Sequence, residues 1–273
     1  MKPARFDYVR AETLGEAHDV LASKGGDAAV IAGGQSLVPL LSMRMARPKV
    51  VVDIMHLADL GGIAVDGDAI RVGATMRQAE LLAWPELLAG QPLLAQALPW
   101  VGHAQTRARG TVCGSVALAD PSAELPLCLL VLGGEVVLSS KGTRRRVAAD
   151  DFFTGLMSTA RNDDELIESV SFPCRRSGEG HAFREFARRH GDFAIVACAA
   201  VVSENNVRFA VGGVADRPMV REFEAGIDLD QALAAFASEF DARDDLHATA
   251  DYRRMLVREL GRQTVDEARR CRI

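Results

Sequence analysis

The chain has 273 residues, 48% hydrophobic and 25% charged, with 32 Lys+Arg against 37 Asp+Glu and a formal net charge of −5. That length suits about two domains and buries enough surface to need neither disulfides nor a structural metal. An acidic balance argues against a protein devoted to nucleic acid, which carries a basic face. No apolar run approaches the ~20 residues that cross a bilayer, and the opening MKPARFDYVRAETLGEAHDVL lacks the unbroken apolar stretch of a secretory signal. The expectation is a cytoplasmic protein without a membrane span.

Taken in chain order, residues 12–23 place Leu14, Ala17, Val20 and Leu21 at helical spacing, stopped by Gly25-Gly26. Residues 28–32 read as a buried strand, 37–45 as a helical turn closed by Pro48, and 49–54 as a second strand. Residues 69–75 alternate like a strand; 77–82 and 93–98 look helical between Pro85, Pro92 and Pro99. Residues 127–132 and 135–139 read as two strands of a hairpin turning at Gly133-Gly134. Residues 166–172 give a strand ended by Pro173, and CRRSGEG (174–180) is the best linker. A strand pair at 193–202 and 207–211 and two amphipathic helices, near 229–240 and 251–260, complete an α+β chain with a boundary near Arg175.

Two glycine-bearing turns stand out. Gly33-Gly34-Gln35-Ser36 follows a buried strand and precedes a helix. Paired glycines let the backbone pass close to a ligand, and the turn exposes several N–H donors. That is a phosphate cradle, although a plain β-to-α turn gives the same string. The stretch Arg107-Ala108-Arg109-Gly110-Thr111-Val112-Cys113-Gly114-Ser115 repeats the combination of glycines and hydroxyls, with two arginines whose commoner fate is solvation. Together the turns suggest one extended anionic ligand, such as a dinucleotide, gripped from both sides. No G-x-G-x-x-G or Walker pattern occurs, and Arg144-Arg145-Arg146 reads as a solvated turn. Cys113, Cys128, Cys174, Cys198 and Cys271 are scattered without a C-x-x-C pair, as expected of reduced packing thiols rather than metal ligands. The six histidines form no metal motif. With no nucleophile or acid–base dyad evident, any chemistry belongs to a cofactor.

These segments resemble the FAD-binding medium subunit of molybdenum hydroxylases, the xanthine dehydrogenase and carbon monoxide dehydrogenase group. The likeness runs in register through Ala32–Leu37, Val101-Gly102-His103 to Arg109-Gly110-Thr111, Ala119–Pro126 (ADPSAELP), Leu166–Val170 and Arg189–Ala194 (RHGDFA). It implies the p-cresol methylhydroxylase/vanillyl-alcohol oxidase type of FAD-binding domain over 1–175, with two α+β subdomains (about 1–55 and 56–175). A smaller α+β C-terminal domain would occupy 176–273. Carried over, Ala32, Gly33, Gly34, Gln35, Ser36 and Leu37 would hold the FAD pyrophosphate, and Thr111, Gly114 and Ser115 would bind it from the other side. Val101 would touch the adenine side and Ile167 would line the same region. Glu124 would bond sugar or ribityl hydroxyls with Asp120 close by, and Phe193 would lie across the isoalloxazine.

Three positions depart from the family pattern: Cys113 for a glycine, Glu124 for an aspartate and Phe193 for a tyrosine. Cys113 must therefore turn its side chain away from the phosphates. The resemblance further implies partner subunits, a large one with molybdopterin and a small one with [2Fe–2S] clusters, in a dimer of heterotrimers that hydroxylates a substrate and passes electrons through this FAD to an external acceptor. The alternatives are a self-contained flavin reductase or oxidase on the same fold, and an interaction subunit that has lost FAD.

Overall fold

The structure, a computed structural model, describes residues 2–272. The first sheet is parallel: β1 (Asp7–Arg10), β2 (Ala28–Ile31) and β3 (Val50–Asp53), in the order β1-β3-β2. Helix α1 (Leu14–Lys24) crosses from β1 to β2, and α2 (Leu37–Ser42) follows β2. The start of α1 is set by Thr13, whose hydroxyl accepts the Glu16 N–H at 3.1 Å, while the Glu16 carboxylate accepts the Glu12 N–H at 2.8 Å. This is close to a capping box.

The second sheet holds β4 (Ile63–Asp66), β5 (Ala69–Gly73), β6 (Glu135–Ser140), β7 (Thr143–Ala148) and the later β10. Between β5 and β6 run α3 (Gln78–Leu82), α4 (Leu87–Gly90), α5 (Pro92–Ala97), α6 (Ala104–Arg107), α7 (Val112–Leu118) and α8 (Glu124–Val131). After β7 come α9 (Ala149–Phe152), the small ribbon of β8 (Phe153–Gly155) and β9 (Ser158–Thr159), and β10 (Leu166–Pro173). The order β4-β5-β10-β6-β7 places β10 at the centre.

The third sheet is an antiparallel meander of β11 (Gly180–Phe186), β12 (Val196–Val202), β13 (Asn206–Gly212) and β14 (Met219–Glu224). The period of two divides β12 between two cores. Val196, Cys198, Ala200 and Val202 join the core under α10 (Leu229–Ser238) and α11 (Ala250–Arg270), while Ala197 and Ala199 join the larger core with α8. The alanines on that second face leave room for α8 to lie against the sheet.

Several expected elements change. Residues 127–132 form no strand; 127–131 belong to α8, which is buried on every side, and Leu132 caps it. A continuous apolar run cannot distinguish a strand from a fully buried helix by period, and Gly133, at φ +65°, follows the C-cap of that helix and is not a hairpin turn. Arg144, Arg145 and Arg146 lie in the edge strand β7 rather than a turn, paired with Glu168, Glu165 and Glu135. Helix α11 runs ten residues past Leu260 because Gly261 is a contact point and no stop. A Cβ there would stand 2.9 Å from Phe209 Cζ. The expected linker also tightens at its end: Gly180 opens β11, and a Cβ would stand 1.9 Å from the Ala268 carbonyl oxygen. The strands β1, β4, β11 and β14 are additional to those expected.

Arg253 locks α11 to the third sheet. Its guanidinium is buried and donates to the carbonyls of Ile195 (2.8 Å) and Gly213 (2.9 Å) and to Asp245 (2.6 Å). Arg253→Met removes donors from two sheltered carbonyls. It is expected to destabilise the chain by about 2–3 kcal/mol, measured as a lower midpoint in urea unfolding with an unchanged slope.

Candidate functional site

The turn after β2 and the turn before α7 meet backbone to backbone. A Cβ on Gly33 would stand 2.1 Å from the Arg109 carbonyl oxygen and 2.8 Å from Gly110 Cα. Only glycine permits that approach. Gly34 takes φ +71°, which lets the chain turn into α2. The N–H groups of Gly33, Gly34, Gln35, Ser36 and Leu37 donate to no protein acceptor among the described residues. Five consecutive free donors form an anion-binding concavity, with no acidic side chain on either turn.

The second turn is built differently. Thr111 caps α7, its hydroxyl accepting the Gly114 N–H at 3.0 Å, so these two groups satisfy each other. The Val112 N–H is bonded to the Met76 carbonyl and the Ser115 N–H to the Thr111 carbonyl. Cys113 is buried with its thiol toward the Val72 carbonyl at 3.5 Å, and burial pushes it up to about 12. The first turn therefore carries the free donors, and the second supplies the rigid wall they face.

A groove of about 540 Å³ runs between the turns, and all fourteen expected site residues line it: Ala32, Gly33, Gly34, Gln35, Ser36, Leu37, Val101, Thr111, Gly114, Ser115, Asp120, Glu124, Ile167 and Phe193. Leu21, Ala28, Arg161 and Ile167 line it as well, and so do Val101, Gly102, Asp192 and Phe193. Gly191, at φ +87°, packs so closely that a Cβ would lie 3.0 Å from the Gly102 carbonyl oxygen. Gly102 meets Gly191 there, which brings Val101 near Phe193, and both Val101 and Ile167 line the groove. Phe193 is 65% exposed in the groove mouth, which leaves its ring free to cover a planar ligand.

Two carboxyls stand along the wall. Glu124 is in the first turn of α8, only 6% exposed, and burial raises its carboxyl to about 7. Asp120 accepts the Ser122 N–H at 2.9 Å and is also raised by burial. It shapes the turn into α8 as well as facing the groove. The residues that sequence reading missed are Gln78, Thr106, Arg161 and Glu165. Gln78 is buried, donates to the Thr111 carbonyl at 3.4 Å and leaves its Oε1 without a partner. It lies far in sequence from the glycine turns, and no motif marks it.

An extended anionic dinucleotide fits this groove. Its volume lies within the range of ligand pockets, about 300–1,000 Å³. The free donors of residues 33–37 are on residues that line it, as a pyrophosphate needs, and the exposed Phe193 ring lines it too. The fold and the groove define a flavoprotein of the dinucleotide-clamping kind. The family described as the FAD binding domain in molybdopterin dehydrogenase matches residues 4–175, and the CO dehydrogenase flavoprotein C-terminal domain matches 181–268. The chain is 37% identical over 282 residues to the nicotine 6-hydroxylase medium subunit of Paenarthrobacter nicotinovorans, covering 98% of this chain and 99% of that one. It is 30% identical to the carbon monoxide dehydrogenase medium chain of Hydrogenophaga pseudoflava, over 98% of each. A solved structure of carbon monoxide dehydrogenase from Hydrogenophaga pseudoflava matches with a TM-score of 0.95 at 29% identity over 100% of both chains. The chain belongs to the FAD-binding medium-subunit family of molybdenum hydroxylases. It is an oxidoreductase subunit, and FAD is the cofactor of this chain.

Gly33→Ala forces a methyl group into the Arg109 carbonyl. Overpacking of this kind costs about 1–3 kcal/mol, and here it separates the two turns. The variant is expected to fold with a lower melting temperature and to retain less than about a tenth of the wild-type flavin, since 1.4 kcal/mol is tenfold in affinity. The flavin-to-protein absorbance ratio of the purified protein measures it.

Proposed function

We propose that this chain is the electron-relay subunit of a molybdenum hydroxylase. Its partners are a large molybdopterin subunit and a small subunit bearing [2Fe–2S] clusters, in a cytoplasmic dimer of heterotrimers. The bound FAD supplies the redox step, taking electrons from the partner's clusters and giving them to an external acceptor. The chain's own residues bind and orient that cofactor. Residues 1–175 form the FAD-binding unit and 176–273 the C-terminal unit that contributes Phe193.

The observation that carries the reading is the run of five N–H groups at 33–37 without an acceptor among the described residues, in a groove that the second turn and Phe193 also line. In the proposed assignment Ala32 to Leu37 hold the pyrophosphate, and Thr111, Gly114 and Ser115 close the opposite wall. Glu124, with Asp120 beside it, meets the sugar or ribityl hydroxyls, Ile167 lines the far end, and Phe193 covers the ring system. Val101 belongs with Phe193 at the flavin end. The clamp needs no acid–base dyad from the protein, because its work is binding and orientation.

Purification of the chain with its native partners tests the proposal. Flavin absorbance, FAD released on denaturation, and molybdenum and iron in the same complex are expected. Oxidation of an organic substrate by the isolated chain alone would instead establish a self-contained flavin enzyme. Phe193→Ala removes the ring from the groove mouth and is expected to weaken FAD binding roughly fivefold, equivalent to about 1 kcal/mol of aromatic stacking. Flavin fluorescence titration reads that change.

A further inference from the structure

The first glycine turn borders more than one cavity. Residues 31–35 also line a second one, of about 780 Å³, within the range of ligand pockets. The rest of its polar lining is Tyr8, Asp53, His56, Arg77 and Arg109, none of which lines the cofactor groove. Ile31 and Asp53 are the last residues of the parallel strands β2 and β3, and His56 follows β3. The carboxyl ends of parallel strands are where open sheets of this kind take their ligands.

The charges in this cavity are arranged unlike those on the rest of the chain. Arg144, Arg145, Arg146 and Arg208 each meet a carboxylate at 3.4 Å or less. The guanidinium groups of Arg77 and Arg109 meet no carboxylate and donate to no acceptor among the described residues. Both stand on ordered backbone. Arg77 bridges Thr111 and its N–H donates to Glu80 at 2.9 Å, while the Arg109 N–H donates to the Thr106 carbonyl at 3.1 Å. Asp53 is the one carboxylate in the lining, and it is already engaged. Its Oδ1 accepts the Met55 N–H at 2.8 Å and its Oδ2 accepts the Tyr8 hydroxyl. Two uncompensated cations therefore share one concavity on a chain of net charge −5. A cleft of this kind concentrates anions.

The donors also define the anion. Each guanidinium presents a planar fork that fits a phosphate or carboxylate with two bonds. The free N–H groups of Gly33, Gly34 and Gln35 belong to the same lining. Two forks and these amides outnumber the oxygens of a single carboxylate and suit a diphosphate. We propose that this cavity is a second anion site, separate from the cofactor groove, which takes the diphosphate of a small ligand of the nucleoside diphosphate class, with Arg77 and Arg109 as its anchors. The two sites adjoin at Arg109, whose carbonyl meets Gly33 while its side chain lines the second cavity. A ligand held there binds alongside FAD and not in its place.

The test titrates the full-length chain by calorimetry at physiological ionic strength, once loaded with FAD and once stripped of it. Inorganic pyrophosphate and ADP serve as separate probes. One site with a Kd below about 1 mM is expected for at least one of them, with FAD changing that Kd less than about threefold. A tighter Kd for ADP assigns a nucleotide to the cavity, and equal values assign the free diphosphate. Arg77→Met and Arg109→Met are each expected to weaken binding at least tenfold, about 1.4 kcal/mol for the loss of one charged fork. Arg243→Met removes the same charge from an exposed residue outside the cavity and is expected to leave the Kd unchanged. Melting temperatures equal to wild type show that the variants are folded, since both cavity arginines are exposed. Three results would overturn the site: no binding of either probe, wild-type affinity in either cavity variant, or binding that FAD abolishes. The last would assign the arginines to the cofactor's own phosphates.

Discussion

The site depends on one close approach, the backbone of Gly33 against the backbone of Arg109 and Gly110. Any side chain at 33 would hold the first sheet away from the helical layer before α7. Because the contact is made between main chains, the groove width is set by covalent geometry rather than by rotamers. Its donors are then fixed in place before a ligand arrives, which lowers the ordering cost of binding. The same residue type serves a different end at Gly191, where the C-terminal unit closes on Gly102 to bring Phe193 to the mouth.

Helix α8 links that groove to the third sheet. Its first turn carries Glu124 into the groove wall, and its last carbonyls, Leu130 and Val131, accept the guanidinium of Arg208 on β13. Arg208 also pairs with Asp150 at 3.0 Å. One rigid element is thus held at one end by the cofactor groove and at the other by the C-terminal sheet.

The glycine turns were legible because their function requires them to be short, local and nearly free of side chains. The strands β2, β3 and β10 were legible too, since buried strands leave compact apolar runs. Helix α8 was not, because a helix apolar on all faces loses the 3.6-residue period that would identify it. Gly261 misled in the opposite direction: it reads as a helix stop, yet it gives Phe209 and Leu233 room against an unbroken helix. Edge strands such as β7, with three arginines facing solvent, lack the apolar alternation that marks a strand. Gln78 lies outside every motif; its place behind the Thr111 carbonyl comes from the neighbours that the fold assembles around it, which no local string records.

The burial of three thiols has a chemical consequence. Sulfur reacts as the thiolate, and the packing around Cys113, Cys128 and Cys198 suppresses that form by excluding water. These three sulfurs are therefore poor targets for alkylation and for the oxidation ladder. Cys271, exposed near the end of α11, is the contrasting case. A maleimide reagent would reach that tail first, ahead of the half-buried Cys174, and leave the three interior sulfurs unmarked, giving a handle for attaching a spectroscopic label.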